Sequence, residues 1–439
     1  MSKSTKAPEP VGSVRKSVLP GGLRVVTQFV PGVQSASVGL WVQVGSRDEV
    51  PSLAGAAHFL EHLLFKSTPT RTATSIAQQI DAIGGELNAF TGKEHTCYYA
   101  HVLDENVDEA IDLVADVVLR GRCLSGDMEI ERDVVLEEIA MRDDDPEDLL
   151  GEAFLASMYG AHSLGRPVIG STESIAAMAR RQLHSFHVRR YTPDRMVLAV
   201  AGNVDHRAIV AAARAAFAGH LQPGTAPVAA RPGTAKVPGK PGFSLLRQET
   251  EQAHLTLGVR TAGRAEPDRW AVSVLNTALG GGLSSRLFQE IRETRGLAYS
   301  VYSSVDAFAE TGALSVYAGC SPERLAEVVD LATTILTDVA ENGLTAAEFD
   351  RAKGALRGNV VLGLEDSSSR MHRIGQSELN YGRHRTVAQS LRQLDRVRRS
   401  DVNALAARLL TGPFGGAVVG PYRNRRQLPK QLAALGAVR

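Results

Sequence analysis

Apolar and polar residues partly alternate along two early stretches, Leu23-Arg24-Val25-Val26-Thr27 and Ala36-Ser37-Val38-Gly39-Leu40-Trp41-Val42-Gln43-Val44. Successive side chains of a strand point to opposite faces, so both stretches are predicted strands. Another alternating segment ends at Ala100-His101-Val102-Leu103. Helices are predicted at about 53–66, 73–83, 107–119 and 127–142. Strands and helices mix without strict β-α-β alternation, which favours an α+β class over a doubly wound sheet.

The pattern breaks once, at 222–242, where nine of 21 residues are Gly or Pro and none is Asp or Glu. That is a linker by composition. It predicts an N-terminal domain over 14–221 and a C-terminal domain over 243–428, an expectation that the length of 439 residues supports. The halves share an order of elements. The segment through Leu103, AIDLVADVV and LSGDMEIERDVVLEEI in the first is matched by ALSVYAGC, EVVDLATTIL and LTAAEFDRAKGALRG in the second. Strand, helix, turn and helix recur at an offset of about 220 residues, which points to duplication.

Composition mainly excludes. Lys and Arg total 49 against 48 Asp and Glu, so no basic excess points to nucleic acid or anionic lipid, and no membrane partner is expected. No stretch reaches the ~18 apolar residues that span a bilayer. Cys97, Cys123 and Cys320 are too few and too scattered for a disulfide framework. The first 17 residues have lysines without an apolar run, and two prolines spoil an amphipathic transit helix, so they are expected to be frayed. A cytoplasmic protein is expected, and the Ala- and Arg-rich composition looks bacterial.

Chemistry concentrates at Ala56-Ala57-His58-Phe59-Leu60-Glu61-His62-Leu63-Leu64-Phe65. Residues four apart on a helix lie one turn above each other, so His58 and His62 can point two imidazoles at one ion, with Glu61 between them in angle. The rest of the helix is apolar, and two histidines with a carboxylate are costly in such surroundings unless something pairs with them. The third ligand is expected at Glu138. Over 127–142, Glu131 and Glu138 are seven apart and share a face with Met128, Val134, Val135 and Met141. Glu137 is rotated about 100° from Glu138 and should face outward. Two imidazoles and one carboxylate leave a fourth zinc position open, the pattern of a catalytic site, with Glu61 as general base for amide hydrolysis. Glu131 reads as a group that accepts from a ligand imidazole and orients it. His95, Cys97 and His101 share a strand face but spread over ~20 Å, too far for one ion.

H-x-x-E-H is the inverted zinc motif of the inverzincins. HFLEHLLFKST, with Glu138 following 76 residues after His62, resembles the M16 metallopeptidases. That family includes pitrilysin, insulin-degrading enzyme and the mitochondrial processing peptidase, whose beta subunit this chain is similar to. The likeness runs over about residues 18–425 and takes in GSRDE (Gly45 to Glu49), GGELNAFTGKEHTCYYA, SLGRPVIGSTESI and FHVRRYTPDRM. The resemblance implies two duplicated domains of the LuxS/MPP-like metallohydrolase fold, each an antiparallel sheet covered by helices. It also implies one zinc ion per chain, hydrolysis of unfolded peptides, and a homodimer that completes a four-domain chamber. Asn88, Ala89 and Phe90 would lie on an edge strand to which an extended substrate adds itself. Arg292 and Tyr299 would contact the substrate and its reacting carbonyl, within the chain or across the dimer. A catalytic subunit needing an unlike partner, and a non-catalytic M16 subunit, are the alternative readings. The second half reads VLNTAL at Val274 to Leu279, so no second zinc site is expected.

Overall fold

The computed structural model describes residues 13–436. Of the 17 N-terminal residues expected to be frayed, those before 13 lie outside the described residues. Val14 to Ser17 instead belong to a strand that pairs in register with residues 25–28.

In chain order the first copy forms β1 (Val14–Val18), β2 (Arg24–Phe29), β3 (Ser35–Val42), α1 (Ala56–Leu64), α2 (Ala73–Ala82), β4 (Glu86–Thr91), β5 (Thr96–Leu103), α3 (Val107–Arg120), α4 (Ser125–Asp144), α5 (Pro146–Tyr159), α6 (Thr172–Ala177), α7 (Arg180–Arg190), β6 (Met196–Gly202) and α8 (His206–Ala216). Residues 222–242 carry neither helix nor strand. The second copy forms β7 (Phe243–Arg247), β8 (Ala253–Ala262), α9 (Arg269–Gly280), β9 (Ser300–Ala307), β10 (Thr311–Cys320), α10 (Leu325–Asn342), α11 (Ala346–Leu362), α12 (Ser367–Tyr381), α13 (Val387–Arg396), α14 (Arg399–Leu409), β11 (Phe414–Gly420) and α15 (Lys430–Ala433).

Strand order makes the duplication plain. One sheet runs β1-β2-β6-β3-β5-β4 and the other β7-β11-β8-β10-β9, so the second repeats the first without β1. The class is α+β, but the sheets are mixed rather than antiparallel throughout: β6 runs parallel to β2, and β11 parallel to β7. The reason is topological. In the first copy β6 returns after the helices, inserts between β2 and β3 and pairs antiparallel with β3. Because β2 and β3 themselves run in opposite directions, the inserted strand must run parallel to β2. Alternation marks a strand but not the direction of a neighbour pairing from far along the chain.

The compact units are discontinuous in sequence. Among the described residues, one comprises 13–136, 168–230 and 362–386, the other 137–167, 231–361 and 387–436. The copies thus exchange equivalent helices: α5, from the first copy, packs on β8 and β11, while α12, from the second, packs on β2, β3 and β6. Apolar residues account for both packings. Leu150, Phe154 and Met158 of α5 bury against Ala313, Tyr317, Ala417 and Val419. Met371, Ile374 and Leu379 of α12 bury against Val26, Trp41, Cys97, Val197 and Ala199. Only glycine fits at 375, since a Cβ there would lie 2.2 Å from Trp41 Nε1.

Charge locks α12 further. Glu378 is fully buried, and its carboxylate accepts from Lys16 Nζ at 2.5 Å and from His384 Nε2 at 2.8 Å. Burial alone would raise its pKa, but these two bonds hold it below the usual carboxylate range. Buried Arg24 senses the same charge. Glu378→Ala takes the buried acceptor from Lys16 and His384 and leaves Arg24 only the charge of Asp194, so the urea transition followed by circular dichroism should weaken by about 3 kcal/mol.

Candidate metal centre

The helix bearing the two histidines starts later than its apolar pattern predicts. Residues 51–53 form a 3-10 turn and α1 begins only at Ala56, because Gly55 sits at φ 88°. A Cβ at Gly55 would meet Ile169 O at 2.5 Å. The carboxylate of buried Glu49 then caps the helix, accepting from Gly55 N at 2.9 Å and Ala57 N at 2.7 Å. Negative charge at this end also complements the helix dipole.

Within α1, Phe59, Leu60, Leu63 and Leu64 are buried, while His58, Glu61 and His62 form a half-buried stripe. The imidazole centroids are 4.8 Å apart. Ligand atoms of His58, His62 and Glu138 all lie within 4.8 Å of one another, and this is the single such grouping of three or more metal-ligating side chains among the described residues.

Glu138 comes from α4, a continuous helix. With Met128 as origin and 100° per residue, buried Val135 and Ile139 lie about 20° to either side, Glu131 and Glu138 at about −60° and −80°, and Val134 and Met141 beyond −100°. Val134 and Met141 are 40% and 70% exposed, so they do not belong to the buried stripe in which helical spacing placed them. The two carboxylates sit on its border. Glu137 is exposed.

Glu131, itself buried, accepts from His62 Nδ1 at 3.2 Å through Oε2 and from Lys66 Nζ at 2.5 Å through Oε1. A carboxylate only accepts, so His62 carries its proton on Nδ1, which leaves Nε2 as the nitrogen that could bind a metal. Burial, then the neighbouring His62, pushes the His58 pKa down to about 4. Neutral imidazole is the form a metal binds, so the donor set fits a zinc ion. Glu131→Gln should lower zinc affinity or activity about 10–100-fold, read by competition with a chromogenic chelator.

Beside the ligands, Glu61 Oε2 accepts from Thr91 Oγ1 at 2.5 Å. Thr91 ends β4, which stands at the edge of its sheet. Of the residues expected to meet substrate, Asn88 is exposed and its Oδ1 accepts from Ala89 N. Phe90 points to the face opposite Thr91, stacked on His372 and edge-on to Trp41. Arg292 and Tyr299 lie together in their own unit, the guanidinium 5.0 Å above the ring and Tyr299 79% exposed. Gly296, at φ 58°, separates the helical turn Phe288–Glu293 from the stretch leading into β9. His101 bonds Ser37 Oγ at 2.8 Å, and His95 packs on Trp41. Burial, then the charge of Glu61, pushes the Cys97 thiol well up and keeps it inert. All three cysteines are free and buried.

Residues 24–172 match the family described as Insulinase (Peptidase family M16), and 177–356 match the Peptidase M16 inactive domain. This chain belongs to the M16 family. Relatives described as uncharacterized zinc proteases occur in Mycobacterium tuberculosis, 62% identical over 96% of each chain, and in Bacillus subtilis, 37% identical over 94% of this chain and 99% of that one. The fold is that of a protease from Helicobacter pylori, at TM-score 0.85 and 23% identity over 94% of this chain and all of that one. It is also that of an M16 inactive domain from Pseudomonas fluorescens, at TM-score 0.83 and 22% identity over 93% and 98%. Among the described residues no helix is long and apolar enough to cross a membrane.

Glu49, Lys66 and Thr91 are the site residues that sequence reasoning missed. Thr91 left a faint signal, since it shares a face with Ala89 in a period-2 strand. Lys66 left none, because its partner lies 65 residues away.

Proposed function

We propose that this chain is a zinc-dependent endopeptidase of unfolded peptides. The observation that carries the reading is the convergence of His58, His62 and Glu138 to within 4.8 Å, with Glu61 on the same half-buried stripe as the histidines. The relatives' description as zinc proteases supports it. A bound zinc ion supplies Lewis acidity, making water more acidic and polarising a carbonyl.

The protein does the rest. His58, His62 and Glu138 would hold the ion, and a set of three protein ligands is the kind that leaves room for solvent or substrate. Glu131 fixes the ring of His62, and Lys66 neutralises the buried charge of Glu131. Glu61 takes the proton of the attacking water and passes it to the leaving amine. The edge strand β4 offers backbone hydrogen bonds to an extended segment, which selects unfolded chains over folded ones. Arg292 and Tyr299 supply a cation and a phenol suited to a peptide carbonyl or a developing oxyanion.

Purified chain is expected to hydrolyse a quenched-fluorescence peptide, to lose that activity in 1,10-phenanthroline and to regain it with added zinc. Hydrolysis that persists in the chelator sinks the reading.

A further inference from the structure

We propose that Thr91 is a positioning residue that fixes the carboxylate of Glu61, so that the strand expected to receive the peptide also aims the base. This rests on the peptidase reading above. Thr91 ends the edge strand β4, and its Oγ1 lies 2.5 Å from Glu61 Oε2. A threonine hydroxyl has one proton to give. Its other close acceptor, Thr96 Oγ1, is 3.4 Å away. Thr96 in turn gives its own proton to Val44 O at 3.0 Å. The carboxylate is both nearer and charged, so the proton of Thr91 goes to Glu61 as a charge-assisted bond.

Thr91 is itself held. It pairs across the ladder with Thr96, which is fully buried, and its β-branch restricts χ1. Strand periodicity puts Ala89 and Thr91 on the face toward α1, while Phe90 is occupied beneath α12. The hydroxyl is therefore carried by a stiff side chain on a paired backbone. A peptide that adds to β4 is bonded to the backbone that carries Thr91, so substrate register and the direction of the base are set by one element. Misplacing a catalytic group by about 1 Å costs on the order of 10²-fold in rate.

The test uses full-length Thr91→Val and Thr91→Ser, each assayed for zinc content, melting temperature, and kcat and KM on a quenched peptide, with crystal structures of both variants and of the unsubstituted protein. Valine keeps the shape and removes the hydroxyl; serine restores the hydroxyl. Thr91→Val should keep its zinc, its melting temperature and a KM within about twofold while kcat falls about 10–100-fold, and Thr91→Ser should recover most of that loss. The Glu61 carboxylate should take one orientation in the unsubstituted protein and in Thr91→Ser, and several in Thr91→Val. An unchanged kcat in Thr91→Val, equal losses in both variants, loss of zinc, or a single Glu61 orientation in Thr91→Val each overturns the proposal. If the unsubstituted protein hydrolyses no peptide, the peptidase reading fails by itself, and the crystal structures still decide whether Thr91 orients Glu61.

Discussion

Glu61→Gln should bind as much zinc as the unsubstituted protein and lose about 10²–10⁴-fold in kcat on a quenched peptide, with little change in KM. The substitution keeps the size of the side chain and an oxygen able to accept from Thr91 Oγ1, so α1 and the ligand geometry are preserved. What disappears is basicity, because an amide does not take a proton from water near neutral pH. Glu61 is not among the three residues whose ligand atoms converge, which is why metal content and turnover should separate. Plasma emission spectrometry of the dialysed variant, beside its kinetics, reads both quantities. Zinc lost along with activity would make Glu61 a ligand or a structural residue rather than the base.

The second large effect concerns α4. Glu138→Ala removes one of the three convergent ligand atoms, whereas Glu137→Ala changes the exposed neighbour. Loss of a partner that only orients a ligand costs about 10–100-fold in metal affinity, so loss of a direct ligand should exceed about 100-fold. In zinc-buffered dialysis Glu138→Ala should emerge essentially metal-free and inactive, and Glu137→Ala should match the unsubstituted protein. Equal zinc loss in the two variants would mean that α4 is not in the register that buries Val135 and Ile139. Both substitutions remove a carboxylate from the same helix, so a general effect of charge cannot imitate the expected difference.

His58 and His62 are one helical turn apart, and Glu131 and Glu138 almost two, so local geometry alone puts each pair on one face. These relations are legible in the sequence because they need no knowledge of the rest of the chain. The same holds for β2, β3 and helices α2 to α4, whose patterns repeat within a short window. Position on a face is less legible than face itself. Val134 and Met141 are apolar and close to Glu138, yet they point to solvent, because the centre of the buried stripe is set by what α4 packs against.

Where the sequence was silent, the missing information was long-range. Nothing local distinguishes α5 from α12, or announces that each packs on the sheet of the other copy. The parallel strands β6 and β11 depend on insertion between strands laid down far earlier in the chain. Glu49 at the start of α1, Lys66 on Glu131 and Thr91 on Glu61 join residues brought together only by the closing of the fold. By itself the sequence determined the helices that carry His58, His62 and Glu138, the duplication and the α+β class, since periodicity and spacing are properties of short segments. Only the tertiary structure decided which sheet each exchanged helix covers and which side chains hold His62 and Glu61 in place, since those contacts cross tens to hundreds of residues.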